Sequence, residues 1–526
     1  MSFLERPKAI VGGTVYDGTG KPPVKDGVVV ILGPYVLDVG PSTKVDVPKN
    51  AEVIDAKGKT VMPGFIDSHT HFIGMGTRTL TSIDLSQTKS IPEALKLVKD
   101  RVAQLPKGTW VSGRGWDESK WAERRYVTRV DLDPVSPDHP VVLTRVCGHL
   151  LTANSRALEA ANVTKDVQDP PGGKIDKDPK TGELTGVFKD AGGVVNKAMP
   201  PTPRDVELDG LRRACQIALE LGCTSIHDEG APAESFNLYQ TVYNEGRLGV
   251  RCYPMPRGEI LLYLDKFGVV TGFGNEFLRI GCVKLQNDGS LGAHTAALFE
   301  PYASDSSTRG ILRTSPEDLR MRVSAAHKLG YQVAIHSIGD WAIEEAINAF
   351  EAALKEMPRE DHRHRIEHCE LLNDDQIARI KRLKIIPSVQ PNFVGEWEGP
   401  GGMYETRVGQ TRLRRMNPFR KLLDQGIKIC FGSDGMPFHP IYGLWSAVNH
   451  WIPESRITVE EGIKAFTLDA AYASFEEKIK GSLEKGKLAD IAILAEDLST
   501  IPAGKIRDVK VDMTIVGGNI AYQRSK

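Results

Sequence analysis

Phe65-Ile66-Asp67-Ser68-His69-Thr70-His71 is the most informative stretch of this 526-residue chain. It begins with the apolar residues of a buried strand and ends on two histidines that are two positions apart. Because residues i and i+2 of a strand point to the same side, both imidazoles can face one metal ion. Taken alone, the pair fits two packed or surface histidines equally well, so the rest of the chain must decide.

Seven further segments have the apolar, β-branched composition of strands, and helical periodicity separates most of them. They cover residues 224–227, 251–254, 282–285, 332–336, 365–368, 385–389 and 428–432. Residues 205–221 repeat apolar side chains at helical spacing, and Ser315-Pro316-Glu317 is typical of a helix start. Eight strands with helical crossovers predict an α/β fold, a (β/α)8 TIM barrel. The alternative is an open doubly wound sheet, although no GxGxxG follows the first strand.

Both ends of the chain consist of short β-branched segments separated by turn residues. Because neither end is long enough for a β-domain alone, residues 1–64 plus 482–526 are expected to form one small composite β-sandwich. The barrel would then comprise residues 65–75 plus 203–481. Residues 76–202 are a large insertion after the first barrel strand, and we expect an inserted subdomain that covers the active-site mouth.

The composition excludes several classes of protein. Lys and Arg number 67 and Asp and Glu number 68, so the net charge of −1 leaves no excess of positive charge for binding nucleic acid. No apolar run reaches the ~18 residues of a membrane span, and the first residues lack the apolar segment of a signal peptide. The seven cysteines contain no CxxC pair, so reduced thiols in a cytoplasmic protein are expected.

Further residues of metal-ligand type stand at the ends of later strands. His336 and His368 end the fifth and sixth strands, and Asp434 follows the eighth. If these strands form a barrel, their carboxyl ends share one rim, where four imidazoles and a carboxylate would meet. Zn²⁺ suits this mixed set of nitrogen and oxygen ligands, and Mn²⁺, Fe²⁺, Co²⁺ or Ni²⁺ are also compatible with it.

Lys284 ends the fourth strand, where its amine would point into the barrel. Burying a lysine is costly unless the amine is paired or neutral. One interpretation is a buried ion pair with Asp434 or Asp288. The other is carboxylation, in which the deprotonated amine takes up CO₂ and becomes a carbamate whose two oxygens can bridge two metal ions.

These residues resemble the amidohydrolase superfamily of metal-dependent hydrolases, and within it amidohydrolase family 3, the branch that contains N-substituted formamide deformylases. The resemblance covers nearly the whole chain. The motifs that carry it are Pro63-Gly64-Phe65-Ile66-Asp67-Ser68-His69-Thr70-His71, Gly113-Arg114-Gly115-Trp116-Asp117, Gly148-His149, Asn154-Ser155-Arg156, Val283-Lys284, Asp288-Gly289-Ser290, Ile335-His336-Ser337, Ile366-Glu367-His368 and Gly432-Ser433-Asp434.

The resemblance implies a (β/α)8 barrel with a binuclear zinc centre. The metal ligands that it implies are His69, His71, Lys284, His336, His368 and Asp434. The first two histidines and the aspartate would hold one ion, the other two histidines would hold the second, and the carboxylated lysine would bridge them.

The function that follows is hydrolysis of an amide-like, non-peptide C–N bond in a small-molecule substrate. A metal-activated hydroxide would attack the carbonyl carbon, because coordination lowers the pKa of water from ~15.7 toward ~7. Asp434 is the candidate general base. The same centre could instead hydrolyse a lactone, an ester or a phosphotriester, or deaminate an aromatic ring. A metal-free, non-catalytic scaffold is the remaining alternative, and a homodimer without nucleic-acid or membrane partners is the expected assembly.

Four residues are candidates for contact with the substrate, through stacking or hydrogen bonding. They are Trp116, Asp117, His149 and His294. The structural alternatives are that Trp116 packs within the insertion and that Asp117 caps a turn. The two histidines belong to Cys147-Gly148-His149 and Ala293-His294, where relatives often have Asp-Gly-His and Ser-Arg, so the substrate of the relatives does not transfer directly.

Overall fold

The computed structural model describes residues 6–525 of the chain. The fold is α/β, and its strands form four sheets. One sheet has eight strands, one has six, and two parallel sheets have three and five strands. The two parallel sheets contain the segments that end on the histidines, so they determine where the candidate site lies.

Strands from both ends of the chain build the eight-stranded sheet. They are Lys8–Val15, Val24–Leu32, Tyr35–Pro41, Glu52–Asp55, Thr60–Pro63, Ile491–Leu494, Val511–Val516 and Asn519–Gln523. The two ends join where Thr60–Pro63 pairs antiparallel with Ile491–Leu494. Val29, Ile31 and Ile493 pack in one hydrophobic cluster, because alternate side chains of these strands face the same side.

The central region contains all eight expected strands, and the pairings within its two sheets are parallel. The strands are β1 Phe65–Thr70, β2 Cys223–Ala231, β3 Arg251–Pro256, β4 Val283–Gln286, β5 Val333–Ser337, β6 Arg365–His368, β7 Ile386–Val389 and β8 Cys430–Phe431. The first sheet has the order β3-β2-β1, and the second runs from β4 to β8 in chain order. All their carboxyl ends therefore lie on one side.

The two parallel sheets meet at both edges. Beside β3 and β4, Arg257 and Lys284 form a parallel bridge. Beside β8 and β1, the amide of Asp434 donates a hydrogen bond of 2.7 Å to the carbonyl oxygen of His69. Gly432 packs against the same strand, where a Cβ atom would come within 2.4 Å of the His69 amide nitrogen. The absence of a side chain at position 432 therefore allows β8 to bring Asp434 beside His69.

Helices alternate with these strands and cover them. The α-helices are Phe72–Thr81, Ile91–Val102, Arg129–Leu132, Ser155–Ala160, Gly193–Asn196, Arg204–Glu220, Ala233–Asn244, Leu261–Phe267, Pro316–Lys328, Asp340–Glu356, Asp374–Leu383, Pro391–Trp397, Met403–Leu413, Phe419–Asp424, Pro440–Val448, Val459–Ala465 and Leu468–Ala473. The helix predicted over residues 205–221 is Arg204–Glu220, and the predicted cap Ser315 accepts a hydrogen bond of 3.2 Å from the Asp318 amide. Within residues 6–525, no helix combines the length and the apolar character needed to cross a membrane.

The six-stranded sheet lies within the predicted insertion. Its strands are Ile83–Asp84, Val111–Trp116, Val141–Arg145, Leu150–Ala153, Lys174–Lys177 and Leu184–Lys189. It has its own hydrophobic core, in which Trp116 stacks on Trp121 with ring centroids 5.3 Å apart. The strands between residues 83 and 189 thus form a sheet with a core of its own, whereas the flanking helices Phe72–Thr81 and Arg204–Glu220 pack in the main core with the parallel strands.

Candidate metal centre

A large cleft opens at the carboxyl ends of the parallel strands. Its volume is about 1180 Å³, and its lining is rich in charged groups. Five of the six predicted metal ligands line this cleft: His71, Lys284, His336, His368 and Asp434. The sixth, His69, is completely buried in β1 beside them.

His69 is held by a buried carboxylate. Its Nδ1 lies 2.7 Å from Oε2 of Glu367, which assigns the proton to Nδ1 and leaves the lone pair of Nε2 free. Burial lowers the pKa of His69 well below its usual value, so the imidazole is neutral. A neutral imidazole oriented by a carboxylate is the usual form of a metal-ligating histidine.

His368 and Asp434 turn toward His69 through left-handed backbone conformations. Their φ angles are +70° and +54°, which are unusual for residues other than glycine. The His368 ring centroid lies 4.6 Å from that of His69, and Oδ1 of Asp434 lies 3.7 Å from Nε2 of His69. Strand alternation from Glu367 would have turned His368 away, so the local backbone strain brings this imidazole to the site.

The donor set fits a divalent metal ion. His69, His368 and Asp434 each offer a ligand atom, and the three atoms lie within 4.8 Å of one another. Within the described part of the chain, Nε2 of His69, Nδ1 of His368 and Oδ1 of Asp434 are buried without a hydrogen-bond partner. Buried polar atoms are normally paired, so a group of three close ligand residues that each carry an unpaired buried polar atom is best explained by an ion.

His71 and His336 lie on either side of this group. Nε2 of His71 is 3.4 Å from Oδ1 of Asp434, and its Nδ1 is 3.1 Å from the carbonyl oxygen of Glu229. The His336 ring centroid is 4.3 Å from that of His368. All four predicted imidazoles therefore gather at one place.

Lys284 forms an ion pair with Glu229, a residue that the sequence analysis missed. Its partner is thus neither Asp434 nor Asp288, the two candidates weighed from the sequence. Asp288 instead accepts hydrogen bonds from the amides of Ile338 and Gly339. Burial raises the pKa of Glu229, and the ammonium group of Lys284 opposes this rise. Glu229 also belongs to a second group of close ligand atoms, with His69 and Glu367.

Strand alternation along β2 carries the signal that would have revealed Glu229. His227 and Glu229 are two positions apart and point to the same side, toward Arg365 and Lys284 respectively. Asp228 points to the other side, where it accepts a hydrogen bond of 2.7 Å from the Phe72 amide at the start of a helix. The interior residues of β2 are therefore His227 and Glu229.

His149 is the predicted substrate contact that reaches the cleft. Its ring centroid lies 5.4 Å from that of His336, and its Nδ1 lies 2.7 Å from Oδ1 of Asp190. Burial lowers the pKa of His149, but the charge and hydrogen bond of Asp190 outweigh burial and raise the pKa above its usual value. The insertion therefore presents to the cleft a histidine whose protonated form is favoured by Asp190.

The other three substrate candidates do not line the cleft in the structure. A bulge at Gly115, whose φ is +96°, turns Trp116 into the core of the insertion. Asp117 binds Arg145 at 3.0 Å and accepts a hydrogen bond from the amide of Ser119. His294 faces away and contacts Ser304 at 2.9 Å. Trp116 therefore packs within the insertion and Asp117 caps a turn, which are the structural alternatives given for these two residues.

Replacing His149 with Gln is expected to destabilise the protein at pH 6 but not at pH 9. Because the folded state raises the pKa of His149, the His149–Asp190 pair stabilises the fold fully below the unfolded pKa of ~6.5. This stabilisation is lost as the pH rises through the folded pKa. Urea unfolding of both proteins at the two pH values measures the difference.

His294→Gln is the comparison variant and should show the opposite pH dependence. Burial lowers the pKa of His294 to about 3, so its ring is neutral in the folded protein at both pH values, whereas the unfolded chain takes up a proton there at pH 6; this replacement should therefore be less destabilising at pH 6 than at pH 9. Equal destabilisation by His149→Gln at pH 6 and pH 9 would show that Asp190 does not hold a protonated ring.

Comparison with known proteins agrees with this geometry. The family model described as "Amidohydrolase family" matches residues 52–522. The amidohydrolase YtcJ of Bacillus subtilis is 32% identical over 98% of this chain and 99% of its own. An N-substituted formamide deformylase of Arthrobacter pascens is 27% identical over 94% of this chain and 95% of its own.

Solved structures agree as well. An uncharacterised metal-dependent hydrolase of Pyrococcus furiosus is 31% identical, superposes with a TM-score of 0.72, and is matched over 95% of this chain and all of its own. The chain thus combines similarity to these hydrolases with a cluster of histidines and a carboxylate that fits a divalent ion. This protein belongs to the amidohydrolase family.

Proposed function

We propose that this protein is a zinc-dependent hydrolase that cleaves an amide-like, non-peptide C–N bond of a small molecule. The observation that carries the proposal is the close group of His69, His368 and Asp434, each with an unpaired buried polar atom, beside a large polar cleft. Neutral imidazoles together with one carboxylate form a donor set typical of catalytic zinc. His71 and His336 complete the proposed ligand set.

The proposed architecture is a (β/α)8 barrel with two additions. The parallel order of β1–β8 and the contacts between the sheets at both edges support a closed barrel. The sheet shared by both ends supports a composite β-sandwich of residues 1–64 plus 482–526. The separate core of the insertion supports a subdomain over residues 76–202, with the barrel formed by 65–75 plus 203–481.

In the proposed mechanism, Asp434 moves the proton. A divalent ion at this site supplies Lewis-acid activation of the carbonyl group and of water. Asp434 accepts the proton of the attacking water and delivers it to the leaving nitrogen. Burial raises the pKa of Asp434 to about 6, while the charge of Lys284 opposes the rise. The carboxylate is therefore ionised at neutral pH and still basic enough to carry a proton.

His149 would orient the substrate in this mechanism. Its ring is held by Asp190, which raises the pKa of the ring and favours the protonated form, and in that form the other ring nitrogen can donate a hydrogen bond to the substrate carbonyl oxygen. The donor is preorganised, because Arg313 also binds Asp190 at 2.9 Å and holds that carboxylate in place. The insertion would thus take part in the reaction as well as covering the cleft.

A second ion and a carbamate on Lys284 are further parts of the proposal. The Lys284–Glu229 pair must separate before the amine can take up CO₂, and Glu229 would then be free to contact a metal ion. All seven cysteines are unpaired thiols, which supports a reducing, cytoplasmic location. A homodimer stays a prediction.

A turnover screen of the zinc-loaded protein tests the proposed reaction. The compounds are N-formyl amines, other N-acyl amines, cyclic amides and lactones, and the products are a free amine with an acid or an acid alone. Amine release from at least one C–N compound is expected. Hydrolysis of lactones without turnover of any C–N compound would replace the proposal with an esterase activity.

A further inference from the structure

Two arginine side chains line the same cleft without a counterion. Arg78 comes from the helix Phe72–Thr81, which directly follows β1, and Arg114 comes from the strand Val111–Trp116 of the insertion. Among residues 6–525, neither guanidinium group has a hydrogen-bond acceptor or a carboxylate at ion-pair distance. The carboxylate of Asp434 raises the pKa of both arginines, but it lies beyond that distance.

Other arginines that line the cleft already have partners. Arg313 binds Asp190 at 2.9 Å, and Arg322 binds Asp318 at 2.8 Å. Arg257 donates a hydrogen bond of 2.7 Å to the carbonyl oxygen of Gly230. Cationic side chains that are paired within the protein are common on protein surfaces. Arg78 and Arg114 differ from the other arginines of the cleft because they have no such partner.

Two glycines leave room for these guanidinium groups. A Cβ atom at Gly74 would come within 3.0 Å of Nη1 of Arg78. A Cβ atom at Gly148, whose φ is +76°, would come within 3.2 Å of Nη2 of Arg114. The backbone around both arginines is therefore shaped so that each side chain can lie along the cleft wall.

The two guanidinium groups act on each other and on the metal centre. Burial lowers the pKa of Arg78 to about 9, and the positive charge of Arg114 contributes in the same direction. Both arginines also oppose the rise in the pKa of Asp434, and both lower the pKa of His71. Two cations thus line one cleft together with His71 and Asp434, and an anion that enters this cleft would offset their positive charge.

We propose that Arg78 and Arg114 form a specificity site that binds a carboxylate group of the substrate, a group distinct from the bond that is cleaved. Guanidinium groups bind carboxylates through paired, charge-assisted hydrogen bonds. A phosphate monoester would bring nearly two negative charges into a cleft that also contains Asp190, Glu229 and Asp434, so a singly charged carboxylate is the better match. This inference rests on the proposed C–N hydrolase function and names its substrate class.

Three matched compounds test the site in the zinc-loaded, full-length protein. N-formyl-β-alanine carries a carboxylate, N-formylpropylamine is neutral, and N-formyl-2-aminoethyl phosphate carries a phosphate. Turnover is measured by amine release. Affinity is measured by calorimetry in the Asp434→Asn background, where slow turnover leaves the compounds intact. We expect the carboxylate compound to bind about 10-fold to 100-fold more tightly than the neutral one.

Substitutions then assign this preference to the two arginines. Arg78→Gln and Arg114→Gln should each remove most of the preference, by lowering the affinity for N-formyl-β-alanine far more than the affinity for N-formylpropylamine. Arg114→Lys keeps the charge and should retain part of the preference. Arg322→Gln is the control, since it removes a paired arginine from the same cleft and should retain the full preference. Thermal unfolding verifies that each variant is folded.

The outcomes separate this inference from the proposed reaction. Equal affinity for the charged and neutral compounds, a preference that survives both Gln substitutions, or tighter binding of the phosphate compound would overturn the carboxylate site. Arginine-dependent binding of N-formyl-β-alanine without turnover of any C–N compound would support the site and contradict the proposed reaction. Turnover of formamides without any charge preference would support the reaction and contradict the site.

Discussion

Replacing Asp434 with Asn is expected to lower kcat by about 10²-fold to 10⁴-fold, with little change in KM. The amide is nearly the same size as the carboxylate but cannot accept the proton of the attacking water. Asp434 is held rigidly, because its amide donates to the His69 carbonyl oxygen at 2.7 Å, so the substitution should leave the backbone in place. Steady-state kinetics with the best C–N substrate measures the effect.

The metal content of this variant must be measured in the same preparation, since Asp434 is also a proposed ligand. Turnover is therefore expressed per bound ion. Asp318→Asn is the control, because Asp318 lines the same cleft and forms an exposed pair with Arg322. Full turnover of Asp434→Asn at full metal occupancy would remove Asp434 from its role as the general base.

Replacing Glu367 with Gln is expected to lower the free energy of unfolding by about 3–5 kcal/mol. Glu367 and Arg365 are completely buried, and Nε of Arg365 lies 2.7 Å from Oε1 of Glu367. Without the carboxylate, the buried guanidinium keeps only neutral partners such as the Ser68 carbonyl oxygen at 2.6 Å and Ser388 Oγ at 2.9 Å. Chemical denaturation measures the loss.

The same substitution should weaken metal binding by about 10-fold to 100-fold, because Glu367 orients the imidazole of His69. A double variant, Arg365→Met with Glu367→Gln, removes both charges and should be more stable than Glu367→Gln alone. The control Glu245→Gln breaks a surface pair with Arg212 and should cost about 1 kcal/mol or less. Similar losses for the buried and the surface substitution would show that the Arg365–Glu367 pair is not essential.

The strand pattern predicted much of the fold because the parallel strands are buried, apolar and regularly spaced. All eight predicted segments are strands, and the β-branched ends pair as Thr60–Pro63 with Ile491–Leu494. The histidines at the strand ends could also be identified, since parallel strands place their carboxyl ends on one side. These features could be predicted because they depend on the composition of short segments and on the regular alternation of strands and helices along the chain.

The parts that could not be predicted depend on contacts between distant segments or on local backbone exceptions. Glu229 is defined by its pair with Lys284, 55 positions away, and Glu367 by its contact with His69, 298 positions away. His368 reaches the site only because its φ is positive. The bulge at Gly115 leaves Arg114, rather than Trp116, to line the cleft.

The most direct test of the account is the rate of hydrolysis of the best N-formyl or N-acyl amine before metal removal, after it, and after zinc is restored. Chelation is expected to abolish amine release, and added zinc is expected to restore it. The His69→Gln variant is expected to bind less zinc and to stay inactive after zinc is added. Undiminished hydrolysis by protein shown to be free of metal would contradict a metal centre at His69, His368 and Asp434.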